Sequence, residues 1–440
     1  MKILLIKPHS YISAKGVGPP IGLGYIASVL LEAGHLVEIE DLMLTEISKV
    51  EEVLKERLKI ISPDVTGITC NSHERFFAFD VAKWVKESGN SKVVMGGPHV
   101  TFAAEETLKN VPFIDVIVRH EGELTMKELC NKLESGNSIS DVKGISYRDK
   151  EGIIHTNPPR PFIVDLDVLP FPARHLLRIE DYEFFLPVPE RPRITSIITS
   201  RGCPFTCKYC SATIMTGSKI RMRSPKNSVD EIEQVLREYP SLGGLFIYDD
   251  HFAVNKRRVI SICEEIINRR LHFRWGCYSR VDSIDREVAE ALKSAGCELV
   301  SFGVESGSDK VLKLMGKKVT SEQIVEAIKI VKAEGMIARS SFLYRYPGEG
   351  FWDIFKTYLL MSKAGLSMKE VVQAEYPIIY PGTALFAELQ AAHYLPDEFN
   401  WEDRSNFNLP TFKDVPVYHP PYNTLRRVFY FAMNLLFGIR

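Results

Sequence analysis

Two successive series of short apolar segments, each followed by an amphipathic stretch, constrain this chain more than any other feature. In the first, KILLIK, LVEIED, DVTGITC, KVVMGG and DVIVR have strand length, and helical periodicity fills the gaps near 21–34, 49–60, 75–88, 103–110 and 122–134. Short apolar strands separated by helices predict a parallel, doubly wound sheet, because crossover helices bury both of its faces. Ligands of such sheets lie at the carboxyl ends of the strands. The turns to watch are therefore those holding Pro8, Asn71–His73, Gly96–His99 and Glu121–Glu123. From about residue 193 a second series begins: ITSIITS, GGLFIYDD, HFRWGCYSR, ELVSFGVES, MIARSSFLY and KEVVQAEYP. Helices are expected near 226–239, 255–269, 285–295, 308–334 and 351–364. Six β/α units predict a partial (β/α)6 barrel of the TIM type, with its chemistry at the C-terminal strand ends.

Between the two series, GISYRDKEGIIHT reads as a hairpin around Gly152 and the Pro-rich stretch after it as an extended linker. The expected organisation is a Rossmann-like domain over 1–140, a linker with hairpin over 141–192, a barrel over 193–380 and a C-terminal cap over 381–440. The 440 residues suffice for such an arrangement. With 55 basic against 56 acidic residues, the net charge of −1 provides no electrostatic footprint for nucleic acid, and none is expected as a partner. MKILLIKPHS lacks an h-region with a cleavage site and reads as a first strand. No run of eighteen apolar residues occurs, so no transmembrane helix and a cytoplasmic location are expected. The apolar stretch 428–438, flanked by Arg426, Arg427 and Arg440, reads as a docked terminal helix, a peripheral membrane contact or an apolar substrate wall. The aromatics Tyr376, Tyr380, Phe386, Tyr394, Trp401 and Phe407 read as a cap on the barrel or as a hint of an apolar substrate.

Of the eight cysteines, Cys70, Cys130, Cys263, Cys277 and Cys297 stand singly on apolar segments and read as small buried hydrophobes. In a reducing compartment no disulfide framework is expected. The other three sit in SRGCPFTCKYCSA, just past the first strand of the second series. Cys203, Cys207 and Cys210 give C-x3-C-x2-C. Three thiolates on one loop can hold three irons of a [4Fe–4S] cubane and leave the fourth iron open, where clusters normally take four cysteines. Structural zinc would need a fourth ligand, often from a second C-x2-C pair, and no such pair follows. Coincidence is the other alternative, and the loop's place after a strand speaks against it.

The loop, with Tyr209 before its last cysteine, resembles the radical S-adenosylmethionine (SAM) superfamily signature. RMRSPKNSVDEIEQVL, FIYDDHF, WGCYSRVD, LKSAGCELVSFGVESGS and YPGEG follow in the order of that family's core over roughly 195–375. PPIGLGYIASVLLEAGH, GGPHVTF and VIVRHEGELT resemble the cobalamin-binding domain that often precedes it. The resemblance implies a cobalamin-binding-domain radical SAM enzyme, with a [4Fe–4S] cluster, SAM and cobalamin as cofactors. It implies the three cysteines as metal ligands, and Tyr209, Asp249, Asp250, Arg280, Glu305 and Ser306 around SAM. Asp249 and Asp250 would face its amino end, Arg280 its carboxylate, Glu305 and Ser306 its ribose; each also reads as an ordinary polar residue of the barrel rim. For cobalamin it implies Pro20, Gly22, Gly96, Gly97, His99, Glu121, Gly122 and Glu123, with Asn71, Ser72 and His73 facing the cobalt.

Two departures matter. Where the family often has Gly-x-Pro-Gly-Glu, this chain has Arg345-Tyr346-Pro347-Gly348-Glu349, so Arg345 either binds an anionic substrate group or points outward. The corrinoid signature Asp-x-His-x-x-Gly is absent, and neither His73 nor His99 satisfies it, so histidine ligation of cobalt is not supported. The activity the resemblance implies is methyl transfer to an unactivated carbon, or to phosphorus, through a 5′-deoxyadenosyl radical and methylcobalamin. A small-molecule substrate and an external one-electron reductant go with it. The alternatives are cyclisation, ring contraction or oxidation on the same cofactors, or a non-catalytic corrinoid or iron–sulfur sensor or carrier. Methylthiolation is rejected, because it needs three further cluster cysteines in a first domain that holds only Cys70 and Cys130.

Overall fold

The computed structural model describes residues 1–10, 18–375, 377–397 and 399–404. Tyr376, Phe407 and the apolar stretch 428–438 lie outside the described residues. Among the described residues, no helix is long and apolar enough to cross a membrane.

The first sheet is built from β1 (Lys2–Lys7), β2 (Leu36–Asp41), β3 (Val65–Thr69), β4 (Lys92–Gly96), β5 (Val116–Val118), β6 (Ile145–Arg148) and β7 (Ile154–Thr156). Their order is β2-β1-β3-β4-β5-β6-β7, with β1 to β5 parallel and the hairpin β6–β7 antiparallel at the edge. The hairpin read from sequence around Gly152 thus belongs to this sheet. Successive strand residues serve opposite faces. Leu4 and Ile6 pack with α2 (Val50–Ile61), α3 (Arg75–Ser88), α4 (Pro98–Phe102) and α5 (Ala104–Asn110), whereas Ile3 and Leu5 pack with α1 (Ile21–Glu32) and α6 (Glu123–Glu134). Each such fully buried aliphatic side chain contributes roughly 1.5–3 kcal/mol. Strand order reverses at β1 and β3, so a crevice opens beyond their carboxyl ends.

The second sheet is wholly parallel, in the order β15-β14-β13-β12-β11-β8. Its strands are β8 (Ile194–Ile197), β11 (Gly244–Ile247), β12 (Arg274–Ser279), β13 (Cys297–Glu305), β14 (Ile337–Leu343) and β15 (Val371–Glu375), with the two-stranded β9 (Ser200–Arg201) and β10 (Arg221–Met222) beside the mouth. The helices are α7 (Ala212–Thr216), α8 (Pro225–Glu238), α9 (Lys256–Asn268), α10 (Arg286–Ser294), α11 (Asp309–Leu314), α12 (Ser321–Ala333), α13 (Phe351–Lys363) and α14 (Ala384–Ala391). The outer face packs on α8, α9, α10, α12 and α13 in the largest core of the molecule. The inner face is closed at its floor by Tyr182, Phe184 and Leu186 from the linker, packed on Ile194, Phe246 and Leu299.

One expected helix is two. The stretch 308–334 breaks at Gly316, whose φ of +72° is left-handed and where a Cβ would stand 2.9 Å from the Thr206 carbonyl oxygen. The chain restarts at Thr320 through a capping box with Gln323.

Candidate functional site

The cysteine loop leaves the first barrel strand through Gly202, at φ +99°, where a Cβ would lie 2.3 Å from the Lys219 carbonyl oxygen. Only glycine fits. Cys203 N–H donates to Gly217 O at 3.0 Å, and the Thr213 hydroxyl to Cys203 O at 3.0 Å. On the far side Lys208 N–H donates to Met315 O, and Leu385 N–H to Lys208 O, each at 2.9 Å. Backbone N–H groups of Phe205 and Ala212 point at the sulfurs of Cys203 and Cys210, the second at 3.4 Å. Cys210 can be reached by solvent, yet enough protein surrounds it to push its thiol up to about 11; Cys203 is raised by burial too. Thiols so raised ionise when metal takes the place of the proton. Among the described residues no three His, Cys, Asp or Glu side chains converge on a point that would hold a single metal ion. A cubane needs no such convergence, because each thiolate binds a different iron.

The residues expected around SAM separate into two groups. Asp250 is exposed at the mouth and accepts from the Thr216 hydroxyl at 3.1 Å; its carboxyl is raised, chiefly by the protein around it. Tyr209 hydrogen-bonds Glu305, which sits at φ +70° and pairs with Lys317 at 3.5 Å. A Cβ on Gly303 would fall 2.6 Å from that carboxylate, so the glycine makes the pair possible. Arg280 lies 3.5 Å over the Phe205 ring of the cysteine loop and forks onto Asp282 at 3.0 and 2.8 Å. By contrast, Asp249 is buried and accepts from Thr199 N–H, the Thr199 hydroxyl and the Ser200 hydroxyl, all at 2.6 Å. Ser306 is likewise fully buried, against Thr357 at 3.4 Å. Both brace turns from behind and neither faces the mouth. Arg345, at φ +59°, donates its backbone N–H to Glu349. His251, absent from the sequence reading, is 2% exposed, with both ring nitrogens buried and unpartnered among the described residues. It lies 5.8 Å from the Phe205 ring, and burial with Arg280 holds it neutral, down to about 4. An orphaned donor–acceptor pair beneath the cysteine loop is a place for a ligand.

A cavity of about 490 Å³ joins the two sheets. From the first domain Pro20, Gly22, Gly96, Gly97, Glu121, Gly122 and Glu123 line it, as expected for a corrinoid, together with Lys7, Gly67, Thr69 and His120. From the barrel come Ile198, Ser200, Arg201, Thr216, Tyr248 and Asp250. Gly22 meets nothing within 4 Å where its Cβ would be, while a Cβ on Gly97, at φ +109°, would strike Cys70 O at 2.6 Å. Gly22 keeps a side chain out of the crevice and Gly97 lets the turn after β4 close on Cys70, which leaves a cradle suited to a large planar ligand. The two carboxylates have another duty. Glu121 takes Arg201 at 3.1 Å and Arg221 at 2.7 Å, and Glu123 takes Arg201 at 2.6 Å, pinning barrel to first domain.

Asn71, Ser72, His73 and His99 do not line this cavity. Asn71 Oδ1 accepts from the His73 and Glu74 N–H groups and starts α3. His73 Nε2 meets the Tyr380 hydroxyl at 3.0 Å. His99 is fully buried, its Nδ1 3.1 Å from the Ser72 hydroxyl and its Nε2 3.9 Å from Glu402. These side chains seat a returning segment from beyond the barrel, a long-range contact that strand-end reasoning has no means to see. His120 and Tyr248 were missed although each adjoins a residue singled out; neighbouring carboxylates drew the reading instead.

Comparison with known proteins places this geometry. Residues 197–361 match the model of the Radical SAM superfamily and residues 11–130 that of the B12 binding domain. An uncharacterized methyltransferase of Pyrococcus horikoshii is 36% identical over 411 residues, covering 91% of this chain and 85% of that protein. The anaerobic magnesium-protoporphyrin IX monomethyl ester cyclase of Rubrivivax gelatinosus is 31% identical over 368 residues, covering 81% and 65%. Among solved structures, the radical SAM methyltransferase TsrM from Kitasatospora setae, with cobalamin and a [4Fe–4S] cluster bound, shares the fold at a TM-score of 0.74 and 18% identity, over 89% of this chain and 75% of that one.

Proposed function

Because the chain belongs to the radical SAM superfamily and carries that family's B12-binding domain, we propose that it is a cobalamin-dependent methyltransferase of unactivated carbon or phosphorus. The observation that carries the reading is the single cavity: the glycine-lined crevice of the first sheet and the barrel mouth beside the cysteine loop are one space. Two cofactors bound there would face each other. When bound, the cluster supplies the electron that cleaves SAM and the corrinoid supplies a methyl carrier.

Within this reading Cys203, Cys207 and Cys210 would hold three irons of the cluster. Their loop is clamped by Gly202 and by the Lys208 backbone. Asp250, Tyr209, Glu305 and Arg280 would contribute to holding SAM, the Arg280 guanidinium suiting its carboxylate. Asp249 and Ser306 act as positioning residues behind them. The Arg201–Glu121 and Arg201–Glu123 pairs tie the two halves together at the cavity. The reading includes a small-molecule substrate, a one-electron donor from outside the chain and a cytoplasmic setting.

The relative of Rubrivivax, a cyclase, favours one second reading: radical cyclisation without methyl transfer. The test separates them. Reconstituted, reduced protein loaded with cobalamin is incubated anaerobically with SAM. Methyl transfer predicts both S-adenosylhomocysteine and 5′-deoxyadenosine. 5′-Deoxyadenosine alone sinks the methyltransferase reading and leaves the cyclase. Neither product, from protein with full iron and corrinoid content, sinks both.

A further inference from the structure

We propose that the inner face of the barrel carries a recognition site for an oxyanion on the substrate, with Arg339 as its cation and Tyr248 and Tyr278 as its walls. The proposal rests on the reading above in taking this lumen as the substrate chamber.

Register assembles the site. Ile247 pairs with Cys277, so Tyr248 and Tyr278 stand abreast one step further along; Tyr278 pairs with Ser301, and Ser301 with Arg339. One row thus crosses four adjacent strands. The flanking residues Ile247, Cys277, Val300 and Ala338 all lie in the outer core under the helices, so alternation turns the row inward.

Such a row is unusual for the middle of a parallel sheet, whose central strands are ordinarily apolar on both faces. Tyr278, within the central strand β12, is 38% exposed, and Tyr248, the residue just past the end of β11, is 42% exposed. Their rings meet at 5.4 Å and 81°, and the Tyr278 ring stands 4.9 Å from Phe246. Arg339 has its Nε buried without a hydrogen-bond partner. Among the described residues no carboxylate pairs with it; the groups that act on its charge are the two tyrosines, and burial lowers its pKa. A guanidinium kept half-buried beside neutral hydroxyls carries a desolvation cost that an arriving oxyanion would offset. Its planar fork matches carboxylate and phosphate oxygens, and the tyrosine hydroxyls can donate to the same group.

The surroundings define the rest of the ligand. Below the row lies the apolar floor of Phe184, Phe246 and Leu299. Gly276 lets that floor pack closely, since a Cβ there would be 3.1 Å from the Phe246 ring and 3.2 Å from Leu186. Above it, Tyr248 also lines the cavity shared with the first domain. The ligand is therefore a carboxylate or phosphate on an apolar or aromatic body, held by its anionic end with the rest toward the cofactors. The SAM carboxylate has the same chemistry, and the experiment separates the two.

The test is calorimetric titration of full-length protein with its cluster reconstituted anaerobically. Phenyl phosphate, benzoate and neutral benzamide serve as probes, and S-adenosylhomocysteine reports the cosubstrate site. Wild type, Arg339→Met, Arg339→Lys and Tyr278→Phe are compared. An oxyanion probe should bind wild type, lose at least tenfold in Arg339→Met and keep part of its affinity in Arg339→Lys. Benzamide and S-adenosylhomocysteine should bind all four proteins alike. Equal oxyanion affinity in wild type and Arg339→Met overturns the proposal, as does no probe binding to wild type. A loss confined to S-adenosylhomocysteine overturns it too and gives Arg339 to the cosubstrate. None of these readouts needs turnover, so failure of the methyltransferase reading would be seen separately, in the products.

Discussion

Asp249 and Glu349 are both carboxylates at strand ends, and their surroundings give them opposite behaviour. Asp249 is surrounded by donors. Replacing it by alanine strands Thr199 N–H and two hydroxyls, each costing about 1–3 kcal/mol when buried without a partner. Asp249→Ala should lose on the order of 3 kcal/mol or more in a urea titration and reconstitute with less iron per chain, because the braced residues lead into the cysteine loop. Glu349 is buried, and the Arg345 N–H that reaches its Oε2 does not offset the loss of water. Its Oε1 has no partner and burial pushes its carboxyl up to about 7. The unfolded chain ionises this group near 4.5, so the folded state binds the proton more tightly between the two values. Stability therefore falls as pH rises from about 4.5 to about 7 and then levels off. Glu349→Gln removes that loss. Its melting temperature should exceed wild type at pH 8, by up to about 3 kcal/mol of stability, and match it near pH 4.5.

At the scale of elements, two glycines of the crevice make opposite predictions. Gly97→Ala forces a Cβ onto the Cys70 backbone at a left-handed φ, and the first domain should melt several degrees lower or fail to accumulate. Gly22→Phe meets open space at the start of α1, so its melting temperature should hold while bound corrinoid per chain, read by absorbance, drops at least severalfold. The alternation of strands and helices was legible because each element carries its own period, and with it the strand ends where sites gather. The break at Gly316 was not, since the helical pattern on either side is continuous and the glycine answers to Thr206, a hundred residues away in the chain. Nor could the sequence separate Asp249 from Asp250. Adjacent strand residues face opposite ways, and which of the two faces the mouth depends on where the strand stops.

For the whole molecule, the segment after the barrel ties three parts together. Leu385 and Glu388 hold Lys208 of the cysteine loop, Tyr380 meets His73, and Glu402 meets Thr107 and His99. Trp401 is 2% exposed among Phe386, Phe399 and His99, and Arg75 donates to its carbonyl at 2.8 Å. Trp401→Ala should cost about 3–5 kcal/mol in denaturant and raise the rate of proteolysis within 377–404. His73 and His99 drew notice in the sequence as turn residues of the first domain, and their partners lie some three hundred residues on. Glu402 reaches back 295 residues to Thr107. During synthesis the first domain emerges before Trp401 and Glu402, which pack on its Arg75 and His99. The order of translation thereby becomes an order of assembly, in which the residues that latch the cysteine loop, Leu385 and Glu388, emerge before Trp401 and Glu402, which cover the first domain.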